Sequence, residues 1–208
     1  MWIVDCDGSI AMGPFETRRY PGSIMTTTST ALGDDKQALS DYLKQHIRDI
    51  PDFPTPGIMF RDISTLLADP EVFRITIDAM AAPFSHIDKV VIIESRGFIL
   101  GTPIAYAIGA GVVPVRKPGR LPFASLAEEY VLEYGTNTLE IHEDAITPGE
   151  RILIVDDLLA TGGTVEATIK LVKRLGGEIV GISVLAELTA LNGRAKTGDY
   201  PLHSLVTY

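Results

Sequence analysis

Arg151-Ile152-Leu153-Ile154-Val155-Asp156-Asp157-Leu158-Leu159-Ala160-Thr161-Gly162-Gly163-Thr164 is the stretch that decides how this 208-residue chain folds. Ile152 to Val155 is a continuous apolar run, the pattern of a strand buried on both faces of a parallel sheet. Past Thr164, Val165, Thr168, Ile169, Val172 and Leu175 fall on one helical face, and Gly176-Gly177 closes that helix. The junction between strand and helix carries the chemistry. A helix N-terminus offers unpaired N–H groups and the positive end of the dipole. Gly162 and Gly163 let the backbone approach an anion closely, and Thr161 and Thr164 add hydroxyl donors. Ala160 to Thr164 therefore reads as a phosphate cradle. Asp156 and Asp157 cannot hold phosphate themselves. They suit sugar hydroxyls, or a divalent cation that prefers oxygen. A plain βα turn needs only an Asp cap. The ordered combination, straight after four apolar residues, points instead to a phosphorylated sugar held at Asp156–Thr164.

Outward from this junction the chain alternates strand, loop and helix. Ile179 to Leu185 forms the next strand downstream. Upstream, Lys89-Val90-Val91-Ile92-Ile93 is a second buried run; it leads into Glu94-Ser95-Arg96-Gly97 and a helix ending near Gly109. Val112 to Val115 is a third strand and opens onto Arg116-Lys117-Pro118-Gly119-Arg120, the densest basic cluster of the chain. A polar segment, expected to be mobile, separates it from Arg151. The pattern predicts an α/β domain with a mostly parallel sheet flanked by helices and ligands at the strand C-terminal ends. Nearer the N-terminus, Asp34 or Asp35 caps a helix whose stripe is Leu39, Tyr42, Leu43, His46, Ile47 and Ile50. That stripe makes His46 an interface or core-edge residue rather than a ligand. Pro51, Pro54 and Pro56 break the helix, Pro56-Gly57 turns, and Ile58 to Phe60 is extended up to Arg61-Asp62. A further helix is expected from about Asp69 to Met80. Residues 1–33 show no period and read as a disordered extension, with Met25 an alternative start. Ile3-Val4-Asp5-Cys6-Asp7-Gly8 looks like the opening of a haloacid-dehalogenase phosphatase, but the rest of the chain matches something else.

Composition narrows the function classes. A net charge of −9 argues against duplex nucleic acid as the principal ligand. Cys6 is the one cysteine, so no intrachain disulfide forms. No apolar run approaches the roughly 20 residues of a membrane span, and Asp5 and Asp7 interrupt the only apolar N-terminal stretch. No membrane partner and a cytoplasmic location are expected. Gly-Lys-Ser and Gly-Lys-Thr, G-x-G-x-x-G, G-x-S-x-G, paired C-x-x-C and H-E-x-x-H motifs are all missing from the sequence. That weakens the P-loop, dinucleotide, serine hydrolase, zinc and metalloprotease readings.

Ile152–Thr164 resembles the 5-phosphoribosyl-1-pyrophosphate (PRPP) signature of the type I phosphoribosyltransferase family. Further segments narrow the resemblance to the branch of that family that uses adenine. Asp52–Ile63 looks like its N-terminal hood, and Glu94-Ser95-Arg96-Gly97-Phe98 like its pyrophosphate loop. Arg116–Pro122 and Glu129–Gly135 look like the two ends of its flexible catalytic loop. Glu187-Leu188-Thr189 and Ser204–Tyr208 also fit, so the likeness runs collinearly over about 35–208. The resemblance implies the type I fold with a small N-terminal hood at about 34–65 and a catalytic loop at about 117–136. It implies the reaction adenine plus PRPP giving AMP plus pyrophosphate in purine salvage, with Mg²⁺ as cofactor and a homodimer.

By motif position, Ala160, Thr161, Gly162, Gly163 and Thr164 hold the 5′-phosphate. Asp156 and Asp157 bind the ribose hydroxyls and, directly or through them, Mg²⁺. Arg96, Ser95 and Gly97 contact pyrophosphate, aided by Arg116, Lys117 and Arg120. A cis bond near Glu94–Ser95 is expected. Met59 and Arg61 read the adenine, and Phe60 belongs to the core. Glu133 handles the proton of the base or hydrogen-bonds its N7, and Tyr134 packs on the closed lid. Two rivals stand beside this reading: a relative using guanine, xanthine or orotate, and a PRPP-sensing regulator without turnover.

Overall fold

The computed structural model describes residues 35–131 and 136–208. The extension 1–33, Glu133 and Tyr134 lie outside the described residues. Five strands form one sheet: β3 (Lys89–Ile93), β4 (Gly111–Val115), β7 (Arg151–Leu159), β8 (Glu178–Glu187) and β9 (Leu202–Thr207). Their order is β4-β3-β7-β8-β9, and every neighbouring pair is parallel. This is the α/β architecture expected from the alternation. β7 sits at the centre, where both its edges are paired.

Alternate residues of the central strands enter two separate cores. Val90, Ile92, Leu153 and Val155 pack on one face with helices α1 (Lys36–Lys44), α3 (Pro70–Ala81) and α4 (Arg96–Ile108). Val91, Ile93, Ile152 and Ile154 pack on the other with helix α5 (Gly163–Arg174). Burial on both faces is why these strands read as unbroken apolar runs. Ile152, Leu153, Ile154 and Val155 are each 0% exposed. At about 1.5–3 kcal/mol per fully buried aliphatic side chain, they fix the position of whatever follows in the chain.

The helices begin where the sequence signals them. Asp35 caps α1, its side chain accepting from the N–H groups of Gln37 and Ala38. Asp69 caps α3 in the same way, with Pro70 in the first turn. A short helix, α2 (Ser64–Ala68), precedes it. α1 is shorter than its apolar stripe suggested. It ends at Lys44, and Ile50 belongs to β1 (Arg48–Pro51), paired antiparallel with β2 (Met59–Asp62). The chain thus leaves the helix well before Pro51, because β1 gains a strand partner that no local period reveals. Phe60 is also corrected: it is half-buried, edge-on to exposed Phe53 at 5.1 Å, rather than a core residue.

The polar stretch before Arg151 holds a second antiparallel pair, β5 (Ser125–Val131) and β6 (Thr136–His142). Leu139 and Ile141 reach the α5-side core. Arg174 of α5 donates to the Ala127 carbonyl at 2.6 Å and pairs with Glu128, so the hairpin is docked on the helix.

Candidate active site

β7 stays strand as far as Leu159, so Asp156 and Asp157 lie in the sheet rather than in the loop the sequence suggested. They are 8% and 7% exposed. The sheet ladder continues through them because β8 pairs alongside, Asp156 opposite Val184. The loop proper is only Ala160–Gly162. Gly162 has φ +79°, a left-handed conformation that favours glycine. It opens α5 without any side-chain cap, leaving the first N–H groups of the helix to whatever binds there. Thr161 and Thr164 are half-buried beside it.

The two carboxylates interact with each other. The Asp157 N–H donates to Asp156 Oδ1 at 2.9 Å. Burial pushes the Asp156 carboxyl well above the usual carboxylate range, and the charge of Asp157 adds to that. Burial also raises Asp157, against the pull of Arg96. Arg96 Nε lies 2.8 Å from Asp157 Oδ2. Gly97 sits against Asp156: a Cβ there would meet Asp156 Oδ1 at 3.0 Å and the Val155 carbonyl at 3.1 Å. Its missing side chain is what lets the start of α4 press on β7. Two adjacent carboxylates supply oxygen ligands suited to a hard cation that keeps most of its shell from water or substrate. Among the described residues no group of three or more His, Cys, Asp or Glu forms a full metal cage.

Glu94 directly follows β3, and the Glu94–Ser95 peptide is cis, as expected. The Glu94 carboxylate gathers the basic cluster. It accepts from Arg116 Nε at 3.2 Å and the Lys117 N–H at 3.1 Å, with Arg120 Nε at 3.6 Å. Burial pushes this carboxyl up, but those hydrogen bonds and the Arg116 and Arg120 charges outweigh it and hold it below its ordinary value. Ser95, Lys117 and Arg120 are exposed.

The β1–β2 hairpin approaches from the other side. The Arg96 guanidinium lies over the Phe60 ring at 5.4 Å, so β2 reaches the Asp157 partner directly. Met59 is 46% exposed. Arg61 is ion-paired with Asp49, its cross-strand neighbour, and stacks over the Tyr208 ring at 3.9 Å. The structure therefore joins Phe60, Arg96, Asp157, Asp156 and the phosphate loop in one continuous group. The engagement of Arg61 by Tyr208 had no local signal in the sequence. Gly193 was also missed: a Cβ on Gly162 would lie 2.5 Å from the Gly193 carbonyl oxygen.

A buried carboxylate pair thus lies near the end of a central parallel strand, beside an open helix N-terminus. The chain belongs to the phosphoribosyltransferase family, whose phosphoribosyl transferase domain matches residues 62–205. Within that family it groups with the adenine phosphoribosyltransferases. It is 56% identical over 168 residues to the adenine phosphoribosyltransferase of Myxococcus xanthus, covering 80% of this chain and 91% of that one. The crystal structure of adenine phosphoribosyltransferase from Rhodothermus marinus is 54% identical with a TM-score of 0.79, covering 83% of this chain and 99% of that one. The enzyme from Saccharomyces cerevisiae, solved with an imino-altritol bisphosphate and adenine, is 38% identical with a TM-score of 0.77. It covers 81% of this chain and 99% of the yeast chain.

Proposed function

We propose that this chain transfers the phosphoribosyl group of PRPP to adenine, giving AMP and pyrophosphate in purine salvage. The observation that carries the reading is the buried Asp156–Asp157 pair, held by Arg96 and set beside the uncapped start of α5. Ala160 to Thr164 receive the 5′-phosphate through backbone N–H groups and the hydroxyls of Thr161 and Thr164. Asp156 and Asp157 accept hydrogen bonds from the ribose hydroxyls, which favours their ionised form at the moment the sugar arrives. Arg96, Ser95 and Gly97 face the pyrophosphate. Arg116, Lys117 and Arg120, gathered at Glu94, add positive charge for the same group.

The bond from C1 to pyrophosphate lengthens as the base approaches, and positive charge develops on the sugar. Fixed carboxylates at the sugar and fixed cations at the leaving group would favour that distribution over the ground state. Asp156 and Asp157 would hold Mg²⁺, the expected cofactor, directly or through the ribose hydroxyls, and the ion would supply charge neutralisation for the pyrophosphate. Met59 and Arg61 border the adenine. Glu133 handles the proton of the base or bonds its N7, and Tyr134 packs on the closed lid. A free carboxylate has a pKa near 4, low for a base at neutral pH; closure of the 117–136 segment raises it by desolvation and excludes water.

The hood at 34–65 carries the base side, and 1–33 is an extension outside the catalytic unit. Exposed Ile99 and Tyr106 on α4 and Val112 on β4 support a homodimer through that side. No helix among the described residues is long and apolar enough to cross a membrane. The cytosol is the proposed location, since PRPP is too highly charged to cross a bilayer unaided.

The test is AMP formation from adenine and PRPP with Mg²⁺, with guanine, hypoxanthine, xanthine and orotate run in parallel. Turnover with adenine alone is expected. Turnover with another base keeps the phosphate and ribose assignments and discards those of Met59 and Arg61. Glu133→Gln is expected to lower kcat by about 10²-fold or more, the usual scale for a general acid or base. Near-normal turnover in that variant removes Glu133 from the mechanism.

A further inference from the structure

The short 3₁₀ segment Gly193–Lys196 contributes nothing to the substrate contacts proposed above, yet its backbone lies against the phosphate loop. A Cβ on Gly193 would overlap the Ala160 carbonyl oxygen and stand 3.1 Å from the Gly162 nitrogen. The reciprocal Cβ, on Gly162, would strike the Gly193 carbonyl. The two backbones are thus in direct contact, glycine to glycine. Gly162 needs glycine for its left-handed φ as well. Gly193 has no such φ, so contact alone excludes a side chain there.

The adjoining residue, Arg194, is fixed from the far side. Its Nε and Nη2 donate to the two oxygens of Glu187 at 2.8 and 2.7 Å, a two-pronged grip that lysine cannot reproduce. Glu187 is 3% exposed at the end of β8. Ser204 of β9 donates to the same carboxylate at 3.0 Å. Thr197 closes the turn, its hydroxyl donating to the Arg194 carbonyl at 2.9 Å. The Leu188 N–H donates to the Leu159 carbonyl at 2.9 Å, tying the start of this excursion to the last residue of β7.

We infer that Gly193 and Arg194 are positioning residues for the 5′-phosphate loop. Glu187 and Ser204 hold Arg194, Arg194 sets the height of Gly193, and Gly193 props Ala160–Gly162 in the shape that receives phosphate. The inference rests on the phosphoribosyl reading of that loop. It assigns to β8 and β9 a part in binding beyond the substrate contacts proposed above, which name neither strand.

The test titrates ribose 5-phosphate and, separately, pyrophosphate with Mg²⁺ into the whole wild-type chain, Gly193→Ala and Arg194→Lys by calorimetry, with thermal melts alongside. Gly193→Ala is expected to weaken ribose 5-phosphate at least tenfold and pyrophosphate less than twofold. Arg194→Lys, which keeps the charge on Glu187 but loses the fork, should act in the same direction about threefold to tenfold. In turnover assays both variants should raise KM for PRPP more than they lower kcat. If Gly193→Ala does not fold, Arg194→Lys carries the decision. Equal weakening of both ligands, or unchanged ribose 5-phosphate binding, overturns the inference while leaving the reaction standing. A wild-type chain that binds no ribose 5-phosphate overturns the reading of the site and this inference with it.

Discussion

The two sides of the site are built from different material. The proposed sugar-phosphate side is the end of a central strand, paired on both edges and packed on both faces, with carboxylates 7–8% exposed. The proposed base side is a two-stranded hairpin at the margin, with Met59 46% exposed and Arg61 held by Asp49 and Tyr208. A buried carboxylate pair is costly and survives only where a large core fixes it. A surface that must admit and release a flat base needs no such anchoring. The proposed assignment therefore places the chemistry in the core and base selection on an edge that local contacts can adjust.

The largest expected effect tests the buried half. Asp157→Asn and Asp156→Asn should each lower kcat by roughly 10²–10³-fold, the scale for losing one preorganised electrostatic group. Stability should move the other way. The Asp156 carboxyl is raised in the folded state, by burial first and by Asp157 second. A raised carboxyl binds its proton more tightly folded than unfolded. Stability from that source is therefore full below the unfolded value near 4 and is lost as pH rises through the folded value. The unliganded wild type should lose Tm with rising pH above 4, and Asp156→Asn should flatten that slope and melt higher at pH 7. A lower Tm at pH 7 for Asp156→Asn would mean that the pair is a stabilising element, and the contrast between the two halves would fail.

Arg96 joins the halves, touching Asp157 and the Phe60 ring. Arg96→Met should lower kcat/KM about tenfold to hundredfold, since a charge-assisted hydrogen bond contributes about 1.5–3 kcal/mol. Arg96 is the cation that opposes the rise of the Asp157 carboxyl. Its removal should push that carboxyl further up, so the acid limb of the kcat/KM profile should move to higher pH. Arg96→Lys should shift it less. An unmoved limb would separate Asp157 ionisation from the rate.

How much of this was readable in the sequence follows the same division. The apolar run Ile152–Val155 and the ordered Asp-Asp and Gly-Gly after it are contiguous signals, and they gave both the sheet and the ligand class. Capping by Asp35 and Asp69 was legible for the same reason. β1 was not, because Ile50 happens to continue the 3–4 spacing of α1 while its partner, Phe60, lies across a loop of several prolines. The β5–β6 ladder escaped because its pairing is set by register rather than by an apolar period. Asp156 and Asp157 looked like loop residues because charge is rare inside a strand. They are strand because β8 continues beside them. Gly193 and Tyr208 act through contacts distant in sequence, which no local pattern records.

The smallest expected effect tests the marginal half. Tyr208 directly follows β9, and its N–H donates to the Glu187 carbonyl at 2.9 Å. Its ring lies under the Arg61 guanidinium at 3.9 Å and near Lys44 Nζ at 5.4 Å. A cation–π contact that is not fully desolvated is worth about 0.5–1 kcal/mol, which corresponds to a factor of about two to five. Tyr208→Leu keeps an apolar side chain and loses the ring, so KM for adenine should rise by about that factor while KM for PRPP stays level. Tyr208→Phe keeps the ring and should behave like wild type, which excludes the hydroxyl as the cause. A matching rise in KM for PRPP would show that the hairpin is coupled to the core more tightly than its exposure implies. The division between fixed chemistry and adjustable selection would then have to be drawn at Arg96 rather than at β2.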